Sequence, residues 1–333
     1  MTKRRELLKQ AAAQIGTANS ILLACHLHPD GDALGSLLGL MLGLEQLGKD
    51  VQAVSPDGVP PLYRFLPSWG RVRSTATGAC DLAIGLDADG SDRLGAAEAM
   101  VLAQPVVIDI DHHTGPDPYG QIQVVDPTAA ATGELVYDLL MELGVRLDPD
   151  IATCLMTAVL TDTGSFRFSN VTADTFATAA ALVSAGGHPA PVHEAIYGSR
   201  SFPSTRLLGR LLSSTARSED GRIVWAGLAR EDFHQTGAGH DATEGFVEQI
   251  RMVEGTDVAV FFREDEGDVV RVSLRSRGTV NVARVAEEFG GGGHVPAAGC
   301  TLPGPLDEAV RRVVASIQRR LPDACPPAKV GSH

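Results

Sequence analysis

Polar and apolar residues alternate at helical spacing over residues 4–16, and the chain then enters a short apolar run, Ile21 to Cys25. A polar turn follows, His26-Leu-His-Pro-Asp-Gly-Asp32, and then a long apolar segment from Ala33 to Leu47. That order predicts a helix, a buried strand, a turn and a second helix. Small residues in the second helix (Gly35, Ser36, Gly39, Gly43) suit close packing on a sheet, and Asp32 stands where an N-cap is expected. Val51 to Val54, Asp81 to Leu86, Pro105 to Ile110 and Gln121 to Val125 predict four more strands. Helical patterns fall at 132–143, 149–161, 172–185 and 189–197. Strands alternating with helices predict an α/β fold with a mainly parallel, doubly wound sheet.

The pattern changes after Ser199. Residues 200–217 are polar, rich in Arg and Ser, compatible with a helix and without a strand signal, so they read as a connector. Three strands follow at Arg222 to Leu228, Asp257 to Phe262 and Val269 to Leu274, with helices at 243–253, 279–289 and 305–320. The expected organisation is a first domain over 1–198, a helical connector over 199–218, a smaller α/β domain over 219–325 and a disordered tail over 326–333.

Composition narrows the function classes. The 333 residues carry a net charge of −13, with 41 acidic against 28 basic side chains, which argues against broad electrostatic binding of long duplex nucleic acid. A small anionic ligand held by a few local cations or metals remains compatible. No apolar run reaches the roughly 18 residues of a membrane span. Five scattered cysteines, mostly inside apolar runs, predict reduced thiols in a cytoplasm rather than a disulfide framework or a zinc site.

Acidic residues gather where apolar runs end. Asp111-His112-His113 closes the fourth strand, and in open α/β sheets ligands bind at that end. His26, Asp30 and Asp32 share one turn, Asp87 follows the third strand, and Asp162 ends an apolar helix, facing the negative end of its dipole. Each has a plain alternative: a Pro-Asp-Gly turn capped by Asp32, or a solvated loop aspartate at Asp87. Jointly they offer His and Asp ligands in an oxygen-rich mixture, which suits Mn²⁺ or Mg²⁺ better than structural zinc. Adjacent histidines cannot point the same way, so His112 and His113 are expected to divide between metal and substrate. His28 reads as a neighbour of the site. In the second domain, four glycines before His294 could cradle an anion on backbone N–H groups, with Arg275 as a partner; the alternatives are a flexible turn and a solvated arginine.

The ordered set His26-Leu-His-Pro-Asp-Gly-Asp-Ala-Leu-Gly-Ser36, Leu86-Asp-Ala-Asp89, Ile110-Asp-His-His113, Thr161-Asp-Thr-Gly164 and the loop from Gly290 to Gly299 resembles the DHH/DHHA1 phosphoesterase family over nearly the whole chain. Its length and the run Phe166-Arg-Phe-Ser-Asn170 are most similar to the NrnA type, nano-RNases that also act as pAp phosphatases. The resemblance implies an active site in the cleft between two domains and two Mn²⁺ ions, with Mg²⁺ as a substitute. His26 and Asp30 would hold one ion, Asp32 and His112 the other, with Asp87 bridging and Asp162 completing the set. His113 would lie beside the scissile phosphate, and Asp111 would orient the histidines. Arg275, Ser273, Gly291, Gly292, Gly293 and His294 would bind substrate. After His113 the chain reads Thr-Gly-Pro-Asp, where many members carry an Asn.

The expected activity is hydrolysis of short 5′-phosphorylated oligoribonucleotides to mononucleotides and of pAp to AMP. The alternatives are a RecJ-like exonuclease on longer single-stranded DNA, an inorganic pyrophosphatase, and a nucleotide-binding sensor without activity; the full ligand set and the glycine-rich second domain count against the last two. No protein partner is evident, and a homodimer is compatible with the sequence.

Overall fold

Residues 3–113, 118–278, 280–293 and 295–321 are described by the computed structural model. They fall into two compact units, Met1–Ser199 and Arg200–His333. The expected tail over 326–333, the Thr114 to Asp117 segment and His294 lie outside the described residues.

In the first unit the order is α1 (Lys3–Thr17), β1 (Ser20–Cys25), α2 (Gly31–Gln46), β2 (Asp50–Val54), β3 (Leu82–Leu86), α3 (Glu98–Leu102), β4 (Val107–Asp111), β5 (Ile122–Val125), α4 (Thr132–Glu142), α5 (Pro149–Asp162), α6 (Ala173–Ser184) and α7 (Pro189–His193). All strand pairings are parallel, in the spatial order β2-β1-β3-β4-β5. Residues of β1, β3 and β4 are buried almost throughout, as strands covered on both faces must be. The larger core holds α1, α2, α4 and α5 against one face, and a smaller one around Leu94 and Val101 fills the other. Gly35 lets α2 and α5 approach closely, since a Cβ there would lie 2.4 Å from the Cys154 carbonyl oxygen.

Two features of this sheet position the site. The strand order reverses at β1 and β3, the switch point where open sheets bind ligands. The register pairs Cys25 with Leu86 and Leu86 with Ile110, so the next residues, His26, Asp87 and Asp111, leave three adjacent strands at one level.

The second unit contains α8 (Phe202–Ser213), β6 (Ala216–Arg217), β7 (Ile223–Leu228), α9 (Arg230–Thr236), α10 (Phe246–Arg251), β8 (Val258–Asp265), β9 (Val269–Ser276), α11 (Val282–Glu287), β10 (Gly292–Gly293), β11 (Ala297–Pro303) and α12 (Leu306–Gln318). Its mixed sheet runs β10-β11-β9-β8-β7-β6, with β7 and β8 parallel and the other neighbours antiparallel. One core packs α11 and α12 on one face. The other packs α8, α9 and α10 over β7 and β8. Burying a side chain such as Phe246, with no exposure at all, contributes about 2–3 kcal/mol.

Two expectations are corrected here. The stretch read as a connector belongs to the second unit: Leu207 and Leu211 of α8 are fully buried in its core, and Ala216–Arg217 is an edge strand. The segment from Gly290 to Gly299 is no open loop but largely a hairpin, in which β10 pairs with β11 and β11 with β9. Gly291 and Gly293 answer a packing demand, since a Cβ on Gly291 would lie 2.2 Å from the Gly299 carbonyl oxygen and one on Gly293 2.6 Å from that of Ala297.

Candidate active site

Five carboxylates and three imidazoles converge at the C-terminal ends of β1, β3 and β4. His26, the first residue after β1, is 7% exposed, and its Nδ1 lies 2.7 Å from the Leu27 carbonyl oxygen. A carbonyl only accepts, so Nδ1 carries a hydrogen, and whenever the ring is neutral Nε2 is the nitrogen that presents a lone pair. That Nε2 is 3.8 Å from Asp30 Oδ1 and 3.5 Å from Asp87 Oδ2. His112 is fixed in the same way, with Nδ1 3.3 Å from the Ala129 carbonyl oxygen. Its Nε2 faces three carboxylates, Asp32 and Asp87 at 3.7 Å each and Asp162 at 3.0 Å. It is buried yet makes no aligned hydrogen bond.

Asp87 stands between these groups. Its Oδ2 faces His26 and its Oδ1 faces His112. Its backbone φ is +59°, in the left-handed region that a non-glycine residue enters at a cost of about 1 kcal/mol or more. His26, Asp30 and Asp87 can each offer one ligand atom within 4.8 Å of the others, as can Asp32, His112 and Asp162. A third such set joins Asp87, His112 and His113. His113 Nδ1, however, lies 2.7 Å from Asp111 Oδ1, which binds the hydrogen on that nitrogen.

Asp32 and Asp30 correct one expectation. The N-cap of α2 is Asp30, whose Oδ1 accepts from the amides of Asp32 and Ala33. Asp32 lies inside the first turn, fully buried. Its Oδ1 accepts from Ser36 Oγ and the Gly133 amide, and its Oδ2 from the Thr132 amide at 2.6 Å. The first two amides of α4 therefore point at a carboxylate from the far end of the unit, where the helix dipole favours negative charge. Thr132 also donates its hydroxyl to Asp87 Oδ1 at 2.9 Å. Asn170 donates to the carbonyl oxygens of Ala130 and Asp162, tying the turn after α5 to the same segment. Sequence reading missed Ala129 to Gly133 entirely. The only signal there was Thr132-Gly133 opening a helix after three alanines, which resembles an ordinary helix start.

The electrostatics show a cluster short of positive charge. Among the described residues no lysine or arginine pairs with Asp30, Asp32, Asp87, Asp111 or Asp162. Burial and the neighbouring charges of Asp87 and Asp162 push Asp32 well above the usual carboxylate range. Burial also raises Asp162, with Asp87 adding to it against the pull of His112. Burial opposes protonation of the histidines, but the carboxylates win. Bonding to Asp30 and Asp87 carries His26 up to about 10, and Asp162, Asp32 and Asp87 carry His112 up to about 10. Asp30 moves the other way: burial works against its ionisation, but His26 and the Ala33 and Asp32 amides hold it low. Oxygen-rich donors and two imidazole nitrogens, one of them (His112 Nε2) buried without an aligned hydrogen bond, fit divalent cations, whose binding would displace the imidazolium protons. His28 stands apart, exposed and 3.2 Å from Asp57.

On the second unit, Ser273 and Arg275 share one face of β9. Ser273 pairs with Gly299 and Gly299 with Gly292, so Ser273 and Gly292 lie in one row across three strands. Arg275 is held by Glu248 Oε1 at 2.9 Å. Gly292, Gly293 and Gly299 are exposed. Gly291 lies just before this row and packs against Cys300.

Residues 20–159 match the model of the DHH family, N-terminal domain, and residues 222–322 match that of the DHHA1 domain. A Thermus thermophilus relative named bifunctional oligoribonuclease and PAP phosphatase NrnA is 40% identical over 309 residues, 90% of each chain. The chain belongs to the DHH family of phosphoesterases. Among solved structures, an exopolyphosphatase-related protein from Bacteroides fragilis superposes with a TM-score of 0.89 at 27% identity, covering 96% of this chain and 98% of that one. Exonuclease RecJ bound to manganese shares the fold, with a TM-score of 0.53 at 17% identity and 95% of each chain covered. Among the described residues no helix is long and apolar enough to cross a membrane.

Proposed function

We propose that this DHH phosphoesterase hydrolyses short 5′-phosphorylated oligoribonucleotides to mononucleotides and removes the 3′-phosphate of pAp, using two Mn²⁺ ions. The observation that carries the metal reading is Asp87, whose two oxygens face two different histidines of two ligand groups. His26 and Asp30 would hold one ion, and Asp32, His112 and Asp162 the other, with Asp87 shared. Such ions polarise phosphoryl oxygens and make a bound water acidic near neutral pH. The manganese in RecJ supports the choice of ion, and the name of the Thermus relative supports the substrates.

The chain's own groups supply the rest. Asp111 accepts a hydrogen bond from His113 Nδ1, which raises the imidazole's pKa and leaves Nε2–H to give a proton to the departing ribose oxygen. Ser273, Arg275, the Gly291 to Gly293 backbone and His294 bind the 5′-phosphate side of the substrate. An overall charge of −13 favours short substrates over long strands, whose phosphates it repels.

One panel tests this: pAp, a 5′-phosphorylated diribonucleotide, a 24-nucleotide single-stranded DNA and pyrophosphate, each with Mn²⁺ or Mg²⁺. The expected result is rapid turnover of the first two with Mn²⁺. Preference for the 24-mer would favour a RecJ-like exonuclease, and turnover of none would favour a binding protein.

A further inference from the structure

We infer that Thr132 is a positioning residue that sets the orientation of the carboxylate shared between the two metal-binding groups. Among the described residues, the Thr132 hydroxyl is the hydrogen-bond donor nearest the Asp87 side chain, at 2.9 Å, while the imidazole nitrogens of His26, His112 and His113 stand 3.5–3.7 Å away. A carboxylate's terminal torsion is broad and two-fold, so an unbonded Asp87 could rotate its oxygens away from either histidine. One hydroxyl 2.9 Å from Oδ1 fixes which oxygen faces His112 and, by the rigid carboxylate, which faces His26.

Thr132 is itself held without freedom. It is fully buried, and its β-branched side chain is stiff at χ1. Its amide is bonded to Asp32 Oδ2 and that of Gly133 to Oδ1, so the first turn of α4 is anchored on one carboxylate while the hydroxyl orients another. The N-cap, Ala131, has no side chain able to bond these amides. Asp32 takes over that task from 100 residues away in the chain. Removing the hydroxyl leaves this anchor intact, which separates orientation of Asp87 from folding of the helix.

The inference rests on the divalent-metal reading, and the experiment keeps the two apart. Mn²⁺ binding to the metal-free full chain is measured by electron paramagnetic resonance of free Mn²⁺, for the parent, Thr132→Val and Thr132→Ser, with melting temperatures of the metal-free proteins alongside. A parent that binds no Mn²⁺ overturns the metal reading itself. With the parent binding two ions, the expected result is a Mn²⁺ dissociation constant raised about 10- to 100-fold in Thr132→Val, as for loss of an outer partner of a metal ligand. Thr132→Ser, which keeps the donor, should recover most of the affinity, and at saturating Mn²⁺ Thr132→Val should regain much of its kcat. Thr132→Val binding Mn²⁺ like the parent, or Thr132→Ser binding no better than Thr132→Val, overturns the inference. Should Thr132→Val not fold, Thr132→Ala, compared with Thr132→Ser, carries the same decision.

Discussion

His113 gives its Nδ1 hydrogen to Asp111 Oδ1 across 2.7 Å, and both residues stand at the end of β4. That bond is the largest reason the His113 pKa is raised, and it draws Asp111 down against the effect of burial. A protonated His113 is the acid form, so activity that depends on it falls as pH rises through its pKa. Asp111→Asn removes the charge and lowers that pKa. The alkaline limb of the kcat profile should therefore move toward lower pH, with kcat at pH 8 reduced about 10²-fold or more, the scale of general acid catalysis. A kcat–pH series on pAp for both proteins reads this directly, and an unmoved limb would remove His113 as the acid.

Asp87→Ala should abolish turnover and bring bound Mn²⁺ below two per chain, as measured by elemental analysis after dialysis. The backbone adds a second readout, because φ at position 87 is +59°. Glycine adopts that conformation freely and alanine does not. The metal-free Asp87→Gly protein should exceed Asp87→Ala in stability by about 1 kcal/mol in urea titrations. Equal stabilities would mean that the turn relaxes when the aspartate is lost.

Asp109 sits two residues before Asp111 on β4, 1% exposed, with Oδ2 accepting from the Tyr119 amide and Oδ1 unpartnered. Burial, helped by Asp111, pushes its carboxyl up to about 8. The folded state thus holds a proton that the unfolded chain releases near pH 4, so this group's contribution is fully present below about pH 4 and is lost as pH rises toward 8. Asp109→Asn removes the penalty. Its melting temperature relative to the parent should climb steadily between pH 4 and pH 8 in metal-free scans. A difference that stays flat with pH would show that Asp109 ionises normally.

Arg275 shares its face of β9 with Ser273, the Gly292 row beside it. Arg275→Ala should leave Mn²⁺ content unchanged and raise KM for a 5′-phosphorylated dinucleotide by about 10- to 100-fold, the worth of a charge-assisted hydrogen bond. Substrate without its 5′-phosphate should show a much smaller change. Equal losses on both substrates would place the arginine elsewhere than the phosphate.

Much of the candidate site was readable because it is built from strongly marked side chains at the ends of apolar runs: His26 and Asp87 follow, and Asp111 ends, a mainly aliphatic strand. The parallel sheet was readable for the same reason. What escaped acts through features that leave little trace in sequence. Thr132 and Gly133 work through backbone amides and one small hydroxyl. Asp32 looked like a cap because caps and buried acceptors use the same residue, and only the fold shows that its partner amides belong to α4. Strand β11 was hidden in Ala-Ala-Gly-Cys-Thr, where small residues answer to close neighbours rather than to strand propensity. Helix α8 passed for a connector because Arg206, Arg210 and Ser213 occupy one side, while Leu207 and Leu211 carry the packing.

The flush register of β1, β3 and β4 has a geometric consequence. Neighbouring strands lie about 4.8 Å apart, so residues leaving β1 and β4 are separated by two such steps and only β3 stands midway. The sheet acts as a ruler, and position 87 occupies its middle mark. An acid on either outer strand would sit beside one histidine and a full step too far from the other. In the two-ion reading proposed above, strand order would therefore assign the shared ligand, and the same aspartate moved to the end of β1 or β4 would serve a single ion.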